Sequence, residues 1–404
     1  MTEMPSIVIV GGGPVGSVLA LALQNNHINV AVNINITMLE ARAKGAAHSD
    51  QRALALSFGS RMLLEQLGVW QHLQQKATAI NTIHISQKGS FGRTKLEAKE
   101  HHQPALGYVL AYGDLSAALD EALSHQPQVQ ILYEAVATKI EPNMEVAKVS
   151  FKHANTEQHL TTQLAVLADG GRSLEAIAGM TRETKAYGHD ALVTKVKCEL
   201  PHNNIAYERF TAMGPVALLP NGERDFSLVW TAEQHKVAEL LALDDASFLK
   251  SLHHHFGDRV GRFLQVDKRL SFPLKMASLK PTFAPHLVVI GNAAQTMHPV
   301  AGQGFNVGLR DASTLSRLIN NQTGGVLGFD ALGFDALGSE SMLKQYHALR
   351  SKDTKRGLMF TDFLVKLFSN DIVGVSASRA AALGLLDVLK PVKSQLVRKM
   401  SFGQ

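Results

Sequence analysis

The sequence predicts an α/β protein in which a parallel sheet is interleaved with a second sheet and followed by C-terminal helices. Three short apolar segments carry that prediction: residues 6–10 (SIVIV), 164–167 (LAVL) and 287–290 (LVVI). Apart from Ser6 at the start of the first, each is apolar throughout, as strands covered on both faces must be. The first runs into Gly11-Gly12-Gly13-Pro14-Val15-Gly16, the second into Asp169-Gly170-Gly171 and the third into Gly291-Asn292-Ala293-Ala294. Ligands of open α/β sheets bind beyond the carboxyl ends of the strands, so these small residues mark one ligand site.

The first turn has the GxGxxG spacing of a Rossmann dinucleotide site in its required strand–turn–helix setting. Gly11 permits the tight turn, Gly13 lets backbone approach a pyrophosphate, and Gly16 lets the following helix, beginning near residue 17, pack on the strand. Residues 36–39 form the second strand and end in Glu40, whose carboxylate can accept both hydroxyls of an adenosine ribose. The apolar run over residues 6–23 is no membrane anchor, because three glycines and a proline interrupt it and no basic region precedes it. Asp169, at the end of its strand, can hold a ribityl hydroxyl or an ordered water, although an isolated Asp-Gly pair reads as a turn. After the Gly291 turn come Pro299 and Gly302-Gln303-Gly304, and then Phe305, Val307, Leu309, Leu315 and Leu318 recur at helical spacing. The start of that helix aims free N–H groups and positive dipole at whatever lies above it, which suits an electron-rich ring.

The three motifs, in this order, resemble the class A flavoprotein aromatic hydroxylases, over residues 6–320. Within them the chain is most similar to the ubiquinone-biosynthesis branch, the 2-polyprenyl-6-methoxyphenol hydroxylases in particular. The resemblance is carried by Asp50-Gln51-Arg52-Ala53-Leu54-Ala55-Leu56-Ser57, Glu208-Arg209-Phe210-Thr211, residues 214–220 (GPVALLP) and residues 291–311. Asn292 stands where most of the superfamily has Asp, and the chain departs from its relatives at Ala117-Ala118, where they place a flavin-contacting Gln or Arg.

What the resemblance implies is a class A flavin monooxygenase fold that binds FAD. Gly11, Gly13, Gly16, Glu40, Asp169, Gly291 and Asn292 would hold the cofactor. Arg52, Pro299, Gly302, Gln303, Gly304, Phe305 and Asn306 would surround its ring. NADH or NADPH would serve as a transient electron donor and O2 as co-substrate, forming a flavin hydroperoxide that hydroxylates a polyprenylated phenol para to its oxygen. The cofactor carries the hard chemistry, so no protein nucleophile is required. Other readings stay open: another ring hydroxylase of the pathway, an FAD-dependent isoprenoid reductase, or a noncatalytic flavin-fold scaffold.

The implied FAD domain is discontinuous, at residues 1–79, 105–179 and 281–320. A substrate-binding sheet domain takes 80–104 and 180–280, with strands near residues 80–90, 191–196 and 226–230, and a helical region takes 321–404. The exact pentapeptide duplication at 328–337 is too short for a repeat architecture and reads as a surface insertion. A single cysteine, Cys198, excludes an intrachain disulfide and fits a reducing, cytoplasmic setting. The adjacent His253-His254-His255 cannot converge on a metal from a helix, and no basic–aromatic platform suggests nucleic acid. Net charge is +5, yet residues 350–404 hold ten Lys or Arg against four Asp or Glu, so the basic excess lies there. Beside an apolar stripe including Leu358, Met359, Phe363 and Leu367, that charge suits a packed helical layer first. A peripheral site on an anionic bilayer, or a docking surface for other ubiquinone-biosynthesis proteins, is the alternative.

Overall fold

The computed structural model describes residues 5–25, 34–89, 92–177, 179–211, 213–296, 303–323, 337–368 and 389–403. Pro299, Gly302 and all but the last residue of the duplicated pentapeptide lie outside them.

Six strands form the first sheet, in the spatial order Phe283–Ala284, Leu287–Val289, Leu164–Leu167, Ser6–Val10, Asn35–Glu40, Val129–Tyr133. All its neighbours run parallel except the outermost pair, Phe283–Ala284 against Leu287–Val289. The alternation of a strand explains why these segments are apolar at nearly every position. Ile7, Ile9, Ile36, Met38, Leu164, Val166 and Val288 face one core, while Val8, Val10, Leu39, Ala165, Leu167 and Val289 face another. Helices cover the first face: α1 (Pro14–Gln24), α3 (Tyr112–Ser124) and α6 (Gln303–Thr323), with α2 (Phe58–Gln66) at its border. A three-stranded antiparallel sheet, Val136–Pro142, Ala147–His153 and Thr156–Thr162, covers the second through Ile140, Val149 and Phe151.

The second large sheet has nine strands, drawn from residues 82–97 and 181–280 and from Gln295–Thr296. That last short strand directly follows the Gly291 turn and pairs with Leu270–Lys280, so the cofactor-side loop is stitched into this sheet. One face carries Trp230, Phe226 and Leu228, buried beneath α4 (Gln234–Ala242), which contributes Val237 and Leu240, and α5 (Asp245–Phe256), which contributes Phe248 and Phe256. The other face turns toward a small sheet of Ala53–Ser57, Gly107–Ala111 and Thr78–Ile80, where Ala53, Val109, Ile80 and Ala206 pack together. The strand expected at 191–196 is far longer, Thr181–Cys198, because residues 181–186 also pair with Leu270–Lys280 while remaining exposed and mostly polar, which hides them from any apolar pattern.

After α7 (Glu340–Phe368) the last described helix is α8 (Lys390–Phe402). It lies on α2: a Cβ at Gly59 would stand 2.6 Å from the Ser401 carbonyl, and the Phe58 and Phe402 rings meet edge to face at 6.1 Å. Lys393 is 6% exposed and pairs with Glu100 at 3.1 Å, so this lysine faces the protein rather than an outer surface. No described helix is long and apolar enough to cross a membrane.

Candidate functional site

The glycine turn separates into positions that the fold needs and one that it leaves free. Gly11 has φ +111°, and a Cβ there would sit 2.6 Å from Asp169 Cα. At Gly16 a Cβ would approach the Gly11 carbonyl to 2.1 Å, so α1 can seat on the turn only without a side chain. Gly13 differs: its backbone is extended, and the nearest atom to a Cβ is the Tyr112 hydroxyl at 3.6 Å. Nothing among the described residues requires glycine there, whereas a ligand backing onto the turn would. Helix α1 has no side-chain cap, so the positive end of its dipole is open to an anion.

Glu40 reaches this turn from the neighbouring strand. Its Oε2 accepts the Gly12 N–H at 2.9 Å, and its Oε1 accepts both the Arg42 N–H at 2.9 Å and Arg42 Nε at 2.8 Å. Burial pushes this carboxyl up, but Arg42 and the two N–H groups outweigh it and hold the group below the ordinary carboxylate range. Arg42 also touches Tyr112, whose ring lies 5.5 Å beneath the Arg52 guanidinium. Arg42 and Tyr112 belong to no recognised spacing. Their only signals are that Arg42 stands two residues after Glu40, and that Tyr112 opens a helix directly after an apolar strand. Tyr112, whose hydroxyl is the described atom nearest a Cβ at Gly13, thus links the cradle to Arg42 and Arg52, each of which is already paired with a carboxylate.

Several side chains expected at the ligand are engaged by the protein itself. Arg52 pairs with Asp50, its Nε 3.0 Å from both carboxylate oxygens, with its side chain about half exposed. The Asp169 carboxylate accepts the Gly171 and Ser173 N–H groups at 2.8 and 2.7 Å, closing its own loop over Gly11. Asn306 is 2% exposed; its oxygen accepts Ser57 N–H at 2.8 Å and Ser60 Oγ at 2.7 Å, and its nitrogen donates to Ala55 O at 2.9 Å. This amide therefore clamps α6 to the strand entering α2, leaving only backbone for a ligand. Phe305 is half-buried against the core of the first sheet, Gly304 is half-buried in the first turn of α6, and Gln303 begins that helix.

The Gly291 turn is held from behind. Gly291 has φ +64° and packs on Val15 of α1, as does Gly308 of α6. Its N–H donates to Asp311 Oδ2 at 3.0 Å, the same oxygen accepts Gln295 Nε2 at 2.7 Å, and Oδ1 accepts Arg350 Nε at 2.7 Å. Asp311 and Arg350 are both buried, so this pair ties α6, α7 and the turn into one unit. Asn292 is exposed beside it, and its carbonyl and Thr296 Oγ1 accept from Arg182 of the second sheet.

The nine-stranded sheet joins the Gly291 turn through Gln295–Thr296 and carries a further row of residues on the face opposite Trp230. Strand register sets Ile85, Glu208, Ala217, Val229, Val193 and Leu270 in one row across it, and the first five are half-buried. Leu270 and its neighbour Phe272 are each 39% exposed at the far end. Such a row is a continuous apolar track with one carboxyl in it. Cys198 takes no part: burial, and then Asp225, push its thiol up to about 12. The described residues contain no His, Cys, Asp or Glu cluster able to hold a metal.

An uncapped helix over a glycine cradle is the arrangement of a dinucleotide site. Residues 4–356 match the FAD binding domain family. The chain is 34% identical over 98% of its length to the ubiquinone hydroxylase UbiL of Rhodospirillum rubrum, covering 89% of that protein. It is 28% identical to the 3-demethoxyubiquinol 3-hydroxylase of Escherichia coli K12, over 92% of each chain. Its fold superposes on the p-nitrophenol 4-monooxygenase PnpA of Pseudomonas putida with a TM-score of 0.75, at 16% identity over 99% and 98% of the two chains. The chain belongs to the FAD-binding-domain family and is a flavoprotein hydroxylase of the class A, ubiquinone-pathway group.

Proposed function

We propose that the protein hydroxylates the ring of a polyprenylated phenol, 2-polyprenyl-6-methoxyphenol, giving the corresponding hydroquinone with O2 as co-substrate and NADH or NADPH as electron donor. The observation that carries the reading is the apolar row from Ile85 to Leu270, because a prenyl tail needs a continuous apolar path and a small polar phenol does not. Two relatives named a ubiquinone hydroxylase and a 3-demethoxyubiquinol 3-hydroxylase support a ring-bearing ligand of this kind.

The protein's own contributions follow from the site. The Gly13 cradle, the α1 N-terminus, Arg42 and Arg52 fit the FAD pyrophosphate, and Glu40, already fixed by Arg42, presents its remaining lone pairs to the ribose. FAD, when bound, supplies the two-electron chemistry that activates dioxygen. Backbone N–H groups at the start of α6 favour negative charge beside the ring, and the nine-stranded sheet excludes water from it. Such a substrate resides in lipid, since each buried CH₂ contributes ~0.8 kcal/mol. The basic C-terminal region would bring the enzyme to the membrane surface, with Lys393 removed from that set by its pairing to Glu100.

The test is mass spectrometry of quinone intermediates in cells lacking the protein. Accumulation of 2-polyprenyl-6-methoxyphenol supports the proposal, and accumulation of a species hydroxylated para to its phenol oxygen assigns the enzyme to a different ring position.

A further inference from the structure

We propose that Glu208 receives the phenolic proton of the substrate and holds the phenol oxygen at the inner end of the apolar track. This assignment rests on the reading of the substrate as a phenol. Strand Ile205–Thr211 places Ala206, Glu208 and Phe210 on one face, and the cross-strand partners of Glu208 are Ile85 and Ala217. Its carboxyl lies deep in the molecule, while the residue as a whole is half-buried. Among the described residues it has no hydrogen bond and no ion pair.

Carboxyls in such surroundings normally acquire a partner, because an unpaired buried charge is expensive. Among the described residues no charged group acts on this one, and burial alone pushes it up to about 7. The elements packed on this face bring Ile80, Ala53 and Val109. The nearby ionisable groups turn elsewhere: Arg52 to Asp50, Tyr108 onto Trp70, and Lys195, three strands away, to Asp225 at 3.1 Å. Glu208 is therefore poised between its two protonation states near neutrality, which suits a proton acceptor.

The step balances. The phenol O–H bond breaks as the carboxyl O–H forms, and the released electron pair enriches the para carbon of the ring. One atom of dioxygen becomes bonded to that carbon and the other leaves as water, with two electrons supplied by the nicotinamide donor. Loss of the ring C–H proton restores aromaticity, and Glu208 returns its proton to the phenol oxygen.

The experiment compares 2-methoxy-6-prenylphenol with its methyl ether, each titrated into FAD-loaded enzyme without nicotinamide, with binding read from the flavin spectrum. Wild type should bind the phenol on the order of 10–100-fold more tightly, the worth of one hydrogen bond to a charged group. Glu208→Leu, with undiminished FAD content as the check on folding, should bind phenol and ether about equally. Glu208→Gln keeps an acceptor, so it should retain part of the preference, while its turnover loses the rise with pH that wild type shows as the carboxyl ionises. A full phenol preference in Glu208→Leu overturns the role of Glu208 and leaves the phenol reading standing. Failure of wild type to bind either compound removes the phenol reading and the assignment of Glu208 together.

Discussion

The carboxylates around the glycine turns and Glu208 on the nine-stranded sheet stand in opposite situations. Around the glycine turns, Glu40 accepts Gly12 and Arg42, Asp50 accepts Arg52, Asp169 accepts Gly171 and Ser173, and Asp311 accepts Gly291, Gln295 and Arg350. In the sheet, Glu208 accepts nothing from the described residues. The difference separates carboxylates that hold geometry from one left available to a ligand. Groups of the first kind should reveal themselves when removed, through stability or FAD affinity. Glu208 should do so through chemistry, and should make the protein more stable when neutralised.

The largest effect belongs to Asp311. Asp311→Ala leaves Arg350 buried without its main partner and frees the Gly291 N–H, so denaturant unfolding should show a loss of about 3–5 kcal/mol. A loss below 1 kcal/mol would mean that the Gly291 turn does not depend on this network.

Gly13→Val comes next and sharpens the contrast within one turn. The fold has room for the side chain and a ligand does not, so the variant should remain folded and lose FAD affinity by more than ~100-fold. Flavin content after purification, beside a far-ultraviolet circular dichroism spectrum, measures both. A folded Gly13→Val protein carrying full flavin would move the pyrophosphate away from this turn.

Glu40→Ala should weaken FAD roughly 10–100-fold, the value of a charged hydrogen bond. Because Glu40 also anchors Gly12 and Arg42, fluorescence titration with FAD should show part of that loss as a floppier turn, with weaker dependence on the ribose. Arg52→Ala should be the mildest in stability, ~0–1 kcal/mol, since its pairing with Asp50 is largely exposed. Flavin reduction by NAD(P)H, followed by stopped flow, distinguishes a cation that serves only Asp50 from one that serves the flavin.

Much of the cofactor half was legible because its strands are apolar on both faces and end in glycines, a pattern that periodicity and turn chemistry read directly. What the pattern could not say is which partner each polar side chain chooses. Asn306 and Arg52 are polar residues at the expected turns, but nothing in the sequence announces that Ser57, Ser60 and Asp50 lie close enough to engage them. The second sheet was less legible still, since residues 181–186 form strand with an exposed, mostly polar surface. Glu208 stood in a recognised motif without a role. Its meaning depends on cross-strand neighbours far away in sequence, and on the absence, among the described residues, of any group that answers its charge.

The claim that Glu208 is unpaired also has a stability signature. Its folded-state value is raised above the ordinary 4.5, so the native protein binds more protons than the unfolded chain, and stability falls as pH rises from 4.5 toward 7. Glu208→Gln escapes that loss and should be more stable than wild type at pH 8, by roughly 1–3 kcal/mol. The most direct measurement is infrared difference spectroscopy of wild type against Glu208→Gln across this pH range. The account predicts a protonated-carboxyl band, present in wild type and missing from the variant, that disappears with a midpoint of about 7. A band that disappears near 4.5, the ordinary value for a glutamate, would contradict it.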